Sequence, residues 1–215
     1  GVAWIDSIGV TVHEPVDILR FGRGHQFDTM HYVDTCARIV KQSGEILLNT
    51  TSERLVVEDG RVAGVDLTLS DGTPRRLLAT STILATGGFQ ASSALLEQHV
   101  HPLAGQMPLR SNPHSDGAGL RLGVEAGAAT GAENAGFYGH LIPSGVDFDG
   151  PGDYVDLSLY YSEHALLFDL TGQRFVDETV GDHLNTMALM ERPEARALLV
   201  ADARVYRDWM VGAYV

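Results

Sequence analysis

Three tyrosines, Tyr138, Tyr160 and Tyr161, suggest a pocket lined by phenols. A phenol can hydrogen-bond a developing enolate, or act as acid or base once its pKa is lowered. The competing reading makes them packing or surface aromatics. Asp182-His183 reads either as a proton relay or as a helix start capped by Asp182, and the cap is the better reading. His99 and His101 have the spacing of strand-borne metal ligands, but no third ligand accompanies them, so no metal is expected. There is no Gly-x-Ser-x-Gly elbow and no Walker loop, and no Ser/His/Asp spacing selects a triad.

A second kind of chemistry needs backbone rather than side chains. Ile83, Leu84 and Ala85 read as a short buried strand, with Thr86 as a cap and Gly87-Gly88 as the turn that follows. A helix then starts near Ser92. A strand running into a glycine turn and a helix lets backbone N–H groups approach a phosphate or a flat ring. Downstream, Ser115 reads as the cap of a helix from Asp116-Gly117 to about Ala126, with Leu120 and Val124 on its apolar face. Gly117, Gly119, Gly123 and Gly127 each cost about 1 kcal/mol in a helix relative to Ala. Their use there points to close approach of another backbone or of a flat ligand; the alternative is helix–sheet packing.

Bulk properties narrow the function classes. The chain has 215 residues, 44% of them hydrophobic, enough for one large or two small domains. No apolar run approaches the roughly 20 residues that cross a bilayer, and no signal peptide is evident. A net charge of −13 argues against nucleic acid or anionic membranes as partners. Lys41 is the only lysine, which reads as coding bias. Cys36 is the only cysteine, which fits a reducing, cytoplasmic setting.

The elements that would position these groups follow from periodicity. Residues 1–25 hold two short apolar patches and then a polar loop from Arg20 to His25. Residues 26–42 predict a helix whose apolar face is Met30, Val33, Ala37 and Val40, closed by Ser43-Gly44. Residues 46–50 predict a strand. Residues 54–58, 61–69 and 75–79 predict a three-stranded antiparallel meander with Asp59-Gly60 and Asp71-Gly72 in its turns. It reads as an insertion between parallel strands at 46–50 and 82–85. Residues 99–114 look irregular, and 128–163 read as a long loop crossing between two domains. Residues 165–170 and 173–176 predict a hairpin, 184–190 a helix, 197–200 a strand, and Asp202 the cap of a last helix.

Four motifs now stand in one order: the meander, Ala85-Thr86-Gly87-Gly88-Phe89, Asp116-Gly117 with Ala126-Gly127-Ala128, and Gly172-Gln173-Arg174-Phe175-Val176-Asp177-Glu178. This order resembles the flavoprotein family of fumarate reductases, succinate dehydrogenase flavoprotein subunits and 3-ketosteroid dehydrogenases, where the stretches read roughly ATGGF, GDG…AGA and GxRFxNE. The resemblance runs from about residue 20 onward. It implies an α/β chain, an α+β piece of a longer protein: a partial FAD-binding domain over 1–135, with a parallel sheet and the inserted meander, then the opening of a capping domain over 136–215. The G-x-G-x-x-G unit that holds the ADP half of FAD in the family is not found. The implied cofactor is FAD, approached by Thr50 and Thr51, by Ala85, Thr86, Gly87 and Gly88, and by Asp116 and Gly117.

The resemblance also implies a substrate with a carbonyl or carboxylate, and hydride transfer that forms or reduces a C=C bond. His140 lies near the position of the family's substrate-binding histidine, and steroid-type relatives use tyrosines, so His140, Tyr138 and Tyr161 are the candidate catalytic residues. The family's Thr-Glu pair is missing before the hairpin, and no Arg follows Glu178, where the chain reads Thr179-Val180-Gly181-Asp182-His183. These departures argue against fumarate and succinate. Arg174 and Glu178 are expected to stabilise the cap hairpin. An alternative expectation is that the 215 residues alone form an inactive piece that binds no FAD and self-associates through uncovered sheet edges.

Overall fold

Asp28 starts the first long helix, its carboxylate accepting hydrogen bonds from the Met30 and His31 N–H groups at 2.9 and 3.0 Å. In the computed structural model, which describes residues 1–18, 22–131, 135–148 and 151–210, this helix is α2, Thr29–Val40. It follows a short helix, α1 (Val2–Ser7), and a two-stranded antiparallel ribbon of β1 (Val16–Ile18) and β2 (Gly22–Gly24). The ribbon replaces part of the loop expected over 20–25; Arg20 and Phe21 lie outside the described residues. The apolar face expected of α2 is turned outward: Met30 is 69% exposed and Val33 55%. The helix packs through Tyr32, whose ring meets Trp4 and Phe27 edge-on, and through buried Thr35. Aromatic edge contacts within this segment outweigh the smaller aliphatic stripe.

The meander forms as expected, as β3 (Thr51–Glu58), β4 (Arg61–Thr68) and β5 (Pro74–Leu78) in the order β3–β4–β5. Asp59 and Gly60 both have positive φ, 50° and 74°, which suits a two-residue antiparallel hairpin. The strands expected at 46–50 and 82–85 do not form. Strands need hydrogen-bonded neighbours, and neither segment has one among the described residues, so Leu48 is 73% exposed and Ile83 89%. The parallel sheet expected around the meander is therefore not among the described sheets, which are β1–β2, β3–β4–β5 and β6–β7. The chain divides into two units, residues 1–52 with 66–76, and residues 53–65 with 77–215.

The second unit carries the rest. Ser92, not Thr86, caps α3 (Ser93–His99), accepting from the Leu95 N–H. α4 (Ala118–Glu125) has Gly117 rather than Ser115 at its N-cap position, with the Asp116 carboxylate accepting from the Ala118 N–H, and it buries Leu122 instead of the expected Leu120 and Val124. Leu96, Ala104 and Met190 form a core, with Phe89, Leu103 and Phe137 packed against it. The loop expected over 128–163 contains a helix, α5 (Pro151–Leu157), and runs into a tight helical turn, Tyr160–His164; residues 132–134 and 149–150 lie outside the described residues. β6 (Leu166–Asp169) pairs antiparallel with β7 (Ala197–Val200), while the expected hairpin partner at 173–176 retains one bridge, Phe168 to Arg174. Between them the Asp169 carboxylate accepts from the Thr171 hydroxyl and the Thr171 and Gln173 N–H groups. These bonds close a tight turn and hold the acid below its ordinary pKa, the Thr171 hydroxyl contributing most. α6 (Asp182–Met190) follows, and Asp202 caps a last short helix, α7 (Ala203–Val205), as expected.

Glu178 fastens this part of the unit. It is 2% exposed. Its carboxylate accepts from the Leu167 N–H at 2.7 Å and from Arg174 Nε at 3.1 Å. Asn185 Nδ2 donates to the Glu178 carbonyl at 3.1 Å and to Ser162 Oγ at 3.2 Å. Burial alone would raise the acid's pKa, but the Arg174 and Leu167 hydrogen bonds prevail and it lies below its ordinary value. A depressed folded-state value means the carboxylate stabilises the fold above its unfolded pKa of about 4.3, and that contribution fades as pH falls through the folded value. Glu178→Gln should therefore lower stability near neutral pH by about 1–3 kcal/mol. In thermal denaturation the gap between the two proteins should narrow in acid.

Candidate functional site

The glycine turn and the start of α4 are built against each other. The Gly117 N–H donates to the Gly88 carbonyl at 3.1 Å, and the Ala91 N–H to the Ser115 carbonyl at 2.9 Å. Gly87 has φ +77° and Gly117 φ +89°, which disfavour any side chain there. A Cβ on Gly119 would stand 2.1 Å from Thr86 Oγ1, and one on Gly117 2.4 Å from Leu95 Cδ1. The protein's own side chains thus fill the approach that these glycines permit, as the packing alternative held. The outer edge of the turn, Ala85, Thr86, Gly87 and Gly88, is exposed. Backbone without bulky side chains is the donor set a diphosphate or a flat ring needs, so this edge fits a dinucleotide cofactor. Asp116 is spent on the Ala118 N–H. Thr50 and Thr51 belong to the first unit; the Thr50 hydroxyl donates to the Leu48 carbonyl, and Thr51 opens β3.

The side-chain chemistry gathers elsewhere in the second unit. Phe137 is anchored on the core and the Ala135 N–H on the His99 carbonyl, which sets the course of residues 138–141. That strip runs beside the start of α6. His140 Nδ1 meets Asp182 Oδ2 in a short contact, and the Leu141 N–H donates to Asp182 Oδ1 at 3.3 Å. The Gly139 N–H donates to His183 Nδ1 at 3.4 Å. The Tyr138 ring stacks on His183 at 4.8 Å and meets His140 edge-on at 5.2 Å. On the other side the Tyr160 ring lies 4.8 Å from His140, and Arg110 Nη1 donates to the Tyr160 hydroxyl at 2.7 Å.

His140 and Tyr138 are thus brought together, and it is Tyr160, not Tyr161, that meets the imidazole. Burial pushes the Tyr161 hydroxyl up, which keeps it a proton-bearing donor. Asp182 does not cap α6, for Gly181 is the N-cap; its carboxylate serves the 138–141 strip instead. Arg110 was missed because it sits in an irregular, Pro-rich stretch with nothing around it to single it out. The one hint was charge, a lone arginine between Leu109 and Ser111. The group combines a cation, a phenol and an imidazole in one place, enough to bind an anionic or carbonyl oxygen and move one proton. His101 Nδ1 accepts from the Leu103 N–H, and no cluster of three metal-ligating side chains occurs among the described residues.

The model of the FAD binding domain family matches residues 14–209. An NADH:acrylate oxidoreductase of Vibrio harveyi is 29% identical over 145 residues, covering 66% of this chain and 14% of that protein. An NADH:fumarate oxidoreductase of Klebsiella pneumoniae (strain 342) is 26% identical over 172 residues, covering 78% and 17%. The chain thus spans less than a fifth of the length of these curated relatives. Among solved structures, the open form of a flavocytochrome c3 fumarate reductase superposes with a TM-score of 0.61 at 19% identity, over 96% of this chain and 37% of that one. A 3-ketosteroid-Δ4-(5α)-dehydrogenase of Rhodococcus jostii RHA1 gives 0.62 at 20%, over 82% and 33%. At such identity these two likenesses establish the fold.

The Thr86–Gly119 seat is open to a direct check. Gly119→Ala drives a methyl into the Thr86 hydroxyl and should cost about 1–3 kcal/mol. Combined with Thr86→Ala, most of that loss should be recovered. A double-mutant cycle in thermal or urea denaturation reads the coupling, and simple additivity would contradict the contact.

Proposed function

The chain belongs to the FAD binding domain family, and on that premise we propose that the whole protein is an FAD-dependent oxidoreductase moving a hydride between flavin and a carbon next to a carbonyl or carboxylate. The observation that carries this reading is the convergence of Arg110, Tyr160 and His140 in a family whose cofactor is FAD. When bound, FAD supplies or accepts the hydride at one carbon of the C=C bond, two electrons passing with it. Arg110 supplies the counter-charge for a substrate carboxylate and Tyr160 a hydrogen bond to its oxygen. His140 gives or takes the proton at the neighbouring carbon, and Tyr138 and Tyr161 complete the polar wall. Ala85, Thr86, Gly87 and Gly88 hold the cofactor with Asp116 and Gly117 behind them. Residues 1–135 form part of the cofactor domain and 136–215 the opening of the cap.

The names of the relatives point to small unsaturated carboxylates. Because the stretch directly after Glu178, Thr179 to His183, holds no arginine, a monocarboxylate such as acrylate suits Arg110 better than a dicarboxylate. A cytoplasmic setting completes this reading, on the lone Cys36; no helix among the described residues is long and apolar enough to cross a membrane. The full-length protein should purify yellow, release FAD on denaturation, and in its chemically reduced state be reoxidised by acrylate. Colourless protein that takes up no FAD on titration would overturn the reading.

A second reading concerns the 215 residues alone: they fold but hold no FAD. The 89% exposure of Ile83, just before the Gly87-Gly88 turn, favours it, because the apolar segment leading into the turn has no strand neighbour among the described residues. Titrating this piece with FAD should leave flavin fluorescence unchanged; stoichiometric quenching would remove this second reading and leave the first intact.

A further inference from the structure

We infer that Asp182 is the positioning residue for His140, fixing Nε2 as the ring nitrogen that faces the reacting carbon; this rests on the proposed function. The geometry differs from a simple loop-to-helix tie in three ways. First, both side chains are nearly withdrawn from water, His140 at 13% exposure and Asp182 at 11%. Second, both carboxylate oxygens act on one short strip: Oδ2 meets His140 Nδ1, and Oδ1 accepts from the N–H of the next residue, Leu141, at 3.3 Å. The imidazole and its own backbone are gripped by the same acid. Third, Asp182 sits in the first turn of α6 yet makes no capping bond there, so its carboxylate is turned toward the histidine.

An ionised carboxylate only accepts hydrogen bonds, so the nitrogen facing it must carry a proton. In the neutral ring that proton is on Nδ1 and the lone pair is on Nε2. The Tyr138 and Tyr160 rings, at 5.2 and 4.8 Å, restrain the ring's tilt. Thr186 Oγ1 donates to the Asp182 carbonyl at 2.8 Å and holds the acid on its helix. In the reducing direction the imidazolium passes its Nε2 proton to the carbon beside the one that takes the hydride, and becomes neutral with Nδ1–H retained. The C=C bond is reduced, the flavin oxidised, and Nε2 regains its proton from solvent. Dehydrogenation runs the same steps backward, with Nε2 as base. The Asp182 carboxylate offsets the charge of the imidazolium. Among the described residues, the other titratable or charged groups in contact with the ring's neighbours are His183 on Tyr138, Tyr160 itself, and Arg110 on the Tyr160 hydroxyl.

The test uses full-length protein with 15N-labelled histidine, wild type and Asp182→Asn, at about pH 8.5, well above the ordinary imidazole value of about 6.5. Wild type should show His140 with Nδ1 protonated and Nε2 bare, assigned by loss of the signal in His140→Gln. In Asp182→Asn the amide can donate or accept, and the ring should shift toward the Nε2–H tautomer or a mixture. In the same holoenzymes, acrylate-driven reoxidation of reduced flavin should show kcat lowered roughly 10²-fold or more with KM little changed. Should Asp182→Asn fail to fold, Asp182→Glu is read instead: it keeps an accepting carboxylate and should retain the Nδ1–H tautomer. An unchanged tautomer in Asp182→Asn, or an Nε2–H tautomer in wild type, overturns the inference. Wild type that shows the Nδ1–H tautomer but turns over no acrylate counts against the proposed function and leaves the pairing standing.

Discussion

Leu167, Arg174 and Asn185 belong to separate pieces of chain, and all three bond Glu178, while Asn185 carries the tie on to Ser162. A carboxylate that is 2% exposed is costly to bury unless its oxygens are occupied. Here one strand N–H and one guanidinium occupy them, and the residue's own carbonyl binds the Asn185 amide. That constraint sets where β6 can lie relative to the start of α6 and to the tight turn Tyr160–His164. Every residue between Glu178 and Asn185, including Asp182 and His183, has its position fixed at both ends of the segment.

The chemistry of the site is a consequence of that placement. Tyr160 opens the tight turn whose middle residue, Ser162, is fully buried against Asn185. Asp182 lies three residues before Asn185 on α6. One buried network therefore positions both the phenol and the carboxylate that flank His140. His140 itself arrives from a different direction, on a strip whose start is fixed by Phe137 in the core. Gly139 allows the strip to pass close to α6, since a Cβ there would stand 2.7 Å from the Phe137 ring and 3.3 Å from Thr186 Cγ2. Arg110 adds a third direction: its neighbour Ser111 accepts from Gln90 Nε2 just beyond the glycine turn, while Arg110 reaches Tyr160. A short segment thereby joins the cofactor-type turn to the polar group.

Local signals in the sequence were read well where local physics decides. The Asp59-Gly60 turn, the Ser92 and Asp202 positions near helix starts, the strand 197–200 and the Arg174–Glu178 tie all follow from residue types over a few positions. The failures share a cause, which is that their outcome depends on a distant partner. Ile83-Leu84-Ala85 has the composition of a buried strand, but composition cannot supply the neighbouring strand, and the segment stays unpaired among the described residues and exposed. The stripe Met30-Val33-Ala37-Val40 is periodic, yet α2 turns Tyr32 and Thr35 inward because Trp4 and Phe27 stand on that side. Asp182 has the sequence context of a cap; only the fold reveals that a histidine 42 positions earlier takes its carboxylate. Arg110 has no sequence context at all, and its role exists only because Tyr160 comes to meet it.

Gly117 and Gly119 pack the inner side of a turn whose outer edge is the proposed cofactor contact. Gly119 accepts Thr86, and Gly117 accepts Leu95, so the inner side of the turn is closed by the protein itself. That closure accounts for glycine at 117 and 119 without any ligand. It also fixes Thr86 and the Gly88 carbonyl against α4, which presents the opposite edge of Ala85, Thr86, Gly87 and Gly88 to solvent in a defined conformation. A turn held from behind in this way is preorganised, and binding to it needs less ordering than binding to a free loop. The packing that accounts for these glycines is thus compatible with the proposed cofactor contact on the opposite edge.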